Sequence, residues 1–159
     1  PFPMSIYDNI AFGPRTHGIK KKSELDDIVE DSLRKAAIFD ELKDRLKKNA
    51  LGLSGGQQQR TLLARALCAA SKVILLDEPV TGLDPKVTAE FYQVTKDLSE
   101  EGIAVIMVSH DVQALDYATH ILHMQKKNSF YGTKEEYMNS DKWKLFKNAE
   151  ENRIGGDKK

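Results

Sequence analysis

Four residues near the middle of the chain have the types and spacing of an anion-binding helix start. Ser54 and Gln57 form an S-x-x-Q pattern, in which each side chain can accept the other's backbone N–H, so a helix is predicted to begin here. Gly55 and Gly56 leave the backbone bare in front of that helix. Exposed N–H groups and the helix dipole would suit a phosphate. Taken alone, a glycine-rich cap without a ligand explains these residues equally well.

Two acidic residues follow a run of four apolar residues, 73–76, that is typical of a strand buried on both faces. Asp77 and Glu78 come where that strand would end, and ligands of open α/β sheets bind at the carboxyl ends of strands. Asp77 is suited to hold Mg²⁺ through water. Glu78 is suited to orient and deprotonate an attacking water. An ordinary strand-to-helix turn is the alternative for both acids.

A histidine follows the second apolar run, residues 103–108. His110 lies 32 positions after Glu78, which is about one helical crossover between parallel strands. A right-handed crossover would bring both strand ends to the same edge of a sheet. His110 could then hydrogen-bond a γ-phosphate. A single histidine at a strand end is more often structural, but the nearby acids favour a functional role.

The sequence around these residues predicts the elements that position them. Residues 4–50 have mostly helical periodicity, with capping-box patterns at Ser5 and Ser23 and a loop at residues 13–18. Beyond residue 54 the pattern alternates between helices and strands, which is typical of a parallel, helix-covered sheet. Helices are predicted at about residues 40–46, 55–70, 85–101 and 112–118, and strands at 73–76, 103–108, 121–124 and 129–131.

Composition narrows the classes of protein to which this chain can belong. The 24 Lys and Arg residues balance 24 Asp and Glu residues, which argues against a nucleic-acid partner. Cys68 is the single cysteine, so an internal disulfide or multi-cysteine zinc site is excluded, as suits a reducing cytosol. No apolar run approaches the roughly 18 residues of a membrane span, so any membrane association would run through a partner protein.

Taken together, these motifs resemble those of the ATP-binding-cassette (ABC) ATPases. The resemblance covers residues 1 to about 132 and rests on motifs in the family's order. The matching segments are residues 53–57 for the signature motif, 75–78 for the Walker B strand, 80–84 for the D-loop and His110 for the switch histidine.

The resemblance implies a fold and a set of site residues. The fold would be α/β, the C-terminal part of a P-loop NTPase with a RecA-like parallel sheet, plus the ABC α-helical subdomain. Glu78 and His110 would be catalytic, and Asp77 would be the Mg²⁺ ligand. The ATP-binding residues would be Ser54, Gly55, Gly56 and Gln57 of the signature motif, which would meet the γ-phosphate of ATP held by the opposite subunit, and Asp84 of the D-loop. Residues 1–50 would form the helical subdomain, 51–132 the second half of the core, and 133–159 C-terminal helices and a flexible tail.

Residues 1–13 and 51–60 closely resemble the phosphate-import ATP-binding proteins of bacteria. The implied partners are a second ATPase subunit in a homodimer, transmembrane permease subunits and, indirectly, a substrate-binding protein. The protein would be peripheral, on the cytoplasmic face of the cell membrane. Import of a metal ion or polar amino acid is the alternative, and a soluble ABC protein of DNA repair or translation is a further competitor.

The phosphate-cradling motif G-x-x-x-x-G-K-[ST], called Walker A, does not occur in the sequence. The chain also opens at Pro1 without an initiator Met, so we expect a fragment or trimmed product whose Walker A and Q-loop lie before Pro1. The fragment alone is therefore predicted to be inactive. The alternative to an enzyme is a non-catalytic module that only donates the signature motif to a partner's site.

Overall fold

The computed structural model describes residues 1–147. Two compact units divide the chain, the first spanning Pro1–His110 and the second beginning at Asp111. The predicted flexible tail, residues 155–159, lies outside the described residues. No helix within residues 1–147 combines the length and the apolar character that crossing a membrane would require.

The first unit holds every predicted site residue. Its elements are α1 (Ile6–Thr16), α2 (Lys22–Lys35), α3 (Phe39–Leu42), α4 (Gly55–Leu67), β1 (Val73–Asp77), α5 (Pro85–Glu100) and β2 (Ala104–Val108). Short 3-10 turns lie at Lys43–Arg45 and Ala50–Gly52. Helices α1, α2 and α4 pack on one another, and apolar side chains at helical spacing form their core. The large side chains buried there include Ile6, Ile10, Val29, Leu33 and Leu63.

Strands β1 and β2 pair in parallel, with α5 as the crossover between them. Asp77 pairs with Val108, so both strands end at the same edge, as the crossover length predicts. The predicted α/β class with a parallel sheet is confirmed. One detail is wrong, because β1 is not buried on both faces. Ile74 is buried, but Leu75 on the opposite face is 75% exposed, since the helices cover only one side of this strand pair.

The predicted loop at residues 13–18 begins later than expected, because α1 continues through Gly13 and Pro14 to Thr16. Proline has no N–H, so it leaves the carbonyl of residue i−4 without its helical donor. Here that carbonyl belongs to Ile10, and the buried Cys68 thiol at the end of α4 can donate its single proton either to it or to the Arg65 carbonyl, each 2.9 Å from Sγ. A side chain from another helix thus makes the proline tolerable inside α1.

Replacing Cys68 should test this account directly. Cys68→Ala should lower the free energy of unfolding by about 1–3 kcal/mol, because the buried Ile10 carbonyl loses its donor. Cys68→Ser keeps a donor and should cost less. Adding Pro14→Ala to Cys68→Ala restores a backbone N–H and should recover part of the loss. Urea unfolding of the four proteins measures this, and an equal loss with and without Pro14→Ala would contradict the account.

The predicted capping box at Ser23 is wrong, and the one at Ser5 forms only in part, because the Asp8 carboxylate accepts from the Ser5 hydroxyl and not from its backbone N–H. The Ser5 hydroxyl accepts the Asp8 N–H at 3.0 Å. Helix α2 instead starts at Lys22, and its cap residue Lys21 contributes no side-chain bond. The Asp26 carboxylate does not take part in a cap, because Tyr7 of α1 donates to it at 2.7 Å and Lys22 pairs with it at 2.7 Å.

The second unit contains a 3-10 turn (Val112–Asp116), β3 (His120–His123), β4 (Phe130–Thr133) and α6 (Lys134–Met138). Residues 141–147 are also helical. Strands β3 and β4 are antiparallel, and α6 begins with a capping box between Thr133 and Glu136. The ring of Trp143 lies 5.9 Å from that of the buried Tyr137.

Candidate functional site

The predicted capping box at the start of α4 is present. The Ser54 hydroxyl accepts the Gln57 N–H at 3.3 Å, and Gln57 Oε1 accepts the Ser54 N–H at the same distance. Helix α4 therefore begins at Gly55, with both side chains holding its first turn. The positive end of the helix dipole lies here, as an anion site requires.

The two glycines of this turn lie against the start of α5, a contact that the sequence did not predict. A Cβ on Gly55 would lie 3.3 Å from Leu83 Cδ2, and one on Gly56 only 2.5 Å from Val87 Cγ1. At Gly56 the absence of a side chain is therefore explained by packing within this chain. The interpretation that both glycines serve access for a phosphate is incomplete for this reason.

Helix α4 is also held by a polar network that sequence reasoning missed. Gln57 Nε2 donates to Glu41 at 2.9 Å. Arg60, buried on the same helix, pairs with Glu90 of α5 at 2.6 Å and donates to the Ala37 carbonyl at 3.2 Å. The partners of Arg60 lie 30 and 23 positions away, and no local pattern connects residues so distant in sequence.

Asp77 and Glu78 lie at the carboxyl end of β1, as predicted. The Glu78 N–H donates to the Val108 carbonyl at 2.9 Å, which continues the pairing with β2. Glu78 has φ of 45°, in the left-handed region. That conformation costs a non-glycine residue on the order of 1–3 kcal/mol and persists where surrounding structure enforces it, commonly at functional sites.

His110 faces Glu78 across this edge of the sheet. Its Nδ1 lies 2.8 Å from Glu78 Oε1. An ionised carboxylate only accepts hydrogen bonds, so Nδ1 carries the proton and donates. The histidine side chain is 68% exposed and the glutamate 37%, so both can be reached from solvent. The sequence predicted that both residues lie at the same edge of the sheet, and they do. The hydrogen bond from His110 to a γ-phosphate stays a prediction.

Asp84, predicted to contact the nucleotide, caps α5 in this structure. One carboxylate oxygen accepts the N–H groups of Lys86 at 3.0 Å and Val87 at 3.1 Å. The turn that leads to it from Glu78 uses Gly82 with φ of 78°, where a side chain would be strained. This turn connects the two halves of the site, because its Leu83 also contacts the start of α4.

The residues present fit a magnesium ion bound together with phosphates. Among residues 1–147, no group of three or more His, Cys, Asp or Glu side chains could hold a metal alone. Mg²⁺ in phosphate-transfer sites usually takes one or two carboxylates, with phosphate oxygens and waters as the remaining ligands. The exposed Asp77 at the strand end can supply such a carboxylate.

Comparison with known proteins identifies the class. Residues 5–116, more than half of the chain, match the family described as "AAA domain, putative AbiEii toxin, Type IV TA system", and the chain belongs to this AAA-domain family. Its solved structural neighbours are ABC transporter cassettes. One is cbiO1 of Clostridium perfringens, part of the ABC transporter complex cbiONQ, with a TM-score of 0.73 and 27% identity over 98% of this chain and 61% of cbiO1. Another is the dimeric bacterial ABC transporter cassette MJ0796, with a TM-score of 0.67 and 25% identity over 82% of this chain and 58% of that one.

Within this class the chain resembles phosphate-import proteins. It is 46% identical over 157 residues to the phosphate import ATP-binding protein PstB of Thermotoga maritima, covering 98% of this chain and 62% of PstB. The ABC resemblance predicted from the motifs is thereby confirmed. The chain spans about three-fifths of the length of these relatives.

Proposed function

We propose that the complete protein is the ATP-binding and ATP-hydrolysing subunit of a bacterial ABC importer. The observation that carries this proposal is the Glu78–His110 pair at the carboxyl end of β1, joined through the turn at Leu83 to the capped start of α4. A base, an exposed carboxylate and a helix N-terminus are among the groups that a site hydrolysing a phosphoanhydride uses.

In this proposal Glu78 orients a water and accepts its proton at the carboxylate as the water attacks the γ-phosphate. His110 donates from Nδ1 to Glu78 and so fixes the orientation of that carboxylate. Asp77 would hold Mg²⁺, which when bound supplies positive charge against the phosphate oxygens. Ser54, with the N–H groups of the following turn, would contact the γ-phosphate of ATP in the opposite subunit.

The proposed assembly is a homodimer attached to transmembrane permease subunits, with a substrate-binding protein acting indirectly from outside. The description of MJ0796 as dimeric supports the first part. We place the protein on the cytoplasmic face of the membrane as a peripheral subunit. Residues 1–50 are proposed as the helical subdomain that meets the permease, and residues 51–132 as the second half of the nucleotide core.

Phosphate is the proposed substrate, because the similarity to PstB runs along nearly the whole chain. The test is uptake in vesicles that contain the complete ATPase and the permease encoded beside it. Phosphate added with its binding protein should stimulate ATP hydrolysis and accumulate inside. Stimulation by a metal ion or a polar amino acid, with none by phosphate, would replace phosphate by that substrate. An absence of ATP hydrolysis under every condition would overturn the ATPase itself.

A polypeptide of residues 1–159 alone should hydrolyse no measurable ATP and should bind it at best weakly. Without a glycine-rich loop and its lysine, the triphosphate loses most of its N–H donors and its nearest cation. Asp77 and Glu78 would also repel it in the absence of Mg²⁺. Isothermal calorimetry checks this expectation, and micromolar binding of Mg-ATP to this polypeptide would contradict it and require a second phosphate site.

A further inference from the structure

The contact between the starts of α4 and α5 restricts which residue can occupy position 56. A Cβ on Gly56 would lie 2.5 Å from Val87 Cγ1, with Val87 Cβ at 3.7 Å and Cγ2 at 3.8 Å. Real Cβ atoms essentially never approach so closely. Valine is branched at Cβ and has one strongly preferred rotamer in a helix, so its methyl group does not move aside cheaply.

Neighbouring glycines lack this restriction, which makes it specific to position 56. At Gly55 the nearest atom is Leu83 Cδ2 at 3.3 Å, the end of a flexible side chain that can give way. At Gly52 there is nothing within 4 Å of the added atom. Gly52 is therefore a matched control, close in sequence but outside the contact.

The contact joins two helix starts that both belong to the site. Ser54 caps α4, and Asp84 caps α5 by accepting the N–H of Val87 itself. A change in the distance between Gly56 and Val87 must therefore displace one cap relative to the other. Interiors at this packing density transmit such a displacement rather than absorb it.

We propose that Val87 is a positioning residue for the signature motif. Its γ-methyl group occupies the space that Gly56 leaves, and it thereby fixes the start of α4 against the start of α5 within one chain. This inference rests on the proposed ATPase function, because ATP hydrolysis is the activity in which the position of the motif is measured. Glycine at position 56 is then required by the packing of its own chain, whether or not it also admits a phosphate.

A size-exchange experiment in the complete ATPase subunit tests the inference. Gly56→Ala should lower kcat by about tenfold or more, because the over-packed contact displaces the signature motif. Val87→Ala alone should also lower kcat, but by a smaller factor, because losing the γ-methyl groups loosens the contact without forcing the two helix starts apart. In the double variant, Val87→Ala leaves space for the methyl group that Gly56→Ala adds. The kcat of the double variant should therefore return to within about threefold of that of Val87→Ala alone.

Two further variants separate shape from other effects. Val87→Thr keeps the branched shape and should not rescue Gly56→Ala. Gly52→Ala should leave kcat unchanged. ATP affinity of the separated subunits is measured in parallel, and it should stay within about twofold of wild type in every variant. A merely structural collapse would lower affinity and kcat together.

The outcomes distinguish the inference from the function on which it rests. If the wild-type subunit hydrolyses no ATP, the proposed function fails. If it does, and Val87→Ala leaves the Gly56→Ala defect undiminished, the positioning role is overturned. Rescue by Val87→Ala but not by Val87→Thr, with ATP affinity preserved, supports it.

Discussion

ATP turnover by the complete subunit should fall by about 10²–10⁴-fold when Glu78 is replaced by Gln, the usual share of a general base. The amide cannot take the proton of the attacking water. It retains an oxygen that can accept from His110 Nδ1, which lies 2.8 Å from the present carboxylate, so the arrangement should otherwise persist. Binding of ATP should be unchanged, and a coupled phosphate-release assay with a binding isotherm checks both expectations.

The control for Glu78→Gln is the same chemical change elsewhere on the first unit. Glu100 lies at the end of α5, exposed and 3.8 Å from Lys96. Glu100→Gln should hydrolyse ATP at the wild-type rate. If Glu78→Gln also did so, the role of general base would have to pass to another residue.

ATP-driven dimerisation should be lost in the Ser54→Arg variant, measured in the hydrolysis-impaired Glu78→Gln background. A long cation at Ser54 would fill the space in front of the Gly55–Gly56 turn that the proposed partner's phosphate needs. It would also remove the hydroxyl that caps α4, a loss worth about 1 kcal/mol. Binding of ATP to the monomer should survive, because the proposed contact is made by the opposite subunit.

Light scattering with and without ATP measures this effect, and Ser54→Thr is the matched control. Threonine keeps a hydroxyl that can accept the Gln57 N–H, so its dimers should still form on addition of ATP. Dimers of Ser54→Arg in the wild-type amount would argue that the start of α4 does not face the partner's nucleotide.

Local patterns and crossover length were enough to predict much of the site. The Ser54–Gln57 capping box needs only residues of one helix turn, and it forms. The meeting of Glu78 with His110 follows from two strands joined by one crossover helix, and β1 and β2 pair in that way. The capping box depends on residues of one helix turn, and the Glu78–His110 contact depends on the regular geometry of one strand–helix–strand unit.

Predictions failed where a side chain from elsewhere in the fold competes with a local pattern. The Ser23 cap does not form because Tyr7, from another helix, binds Asp26. Helix α1 continues through Pro14 because Cys68, 58 positions from the carbonyl it binds, supplies the missing donor. The packing of Gly56 on Val87 is of the same kind. Such contacts depend on how whole helices come together, which spacing along the chain does not encode.

The thiol that bridges α4 and α1 also decides how this protein can be labelled. Burial raises the pKa of the Cys68 thiol to about 11, so near neutral pH it is protonated, and only the thiolate reacts readily with maleimides or iodoacetamide. Cys68 is the single cysteine of the chain. A cysteine introduced on the surface would therefore take up a fluorophore or spin label while the native thiol stays unlabelled in the core.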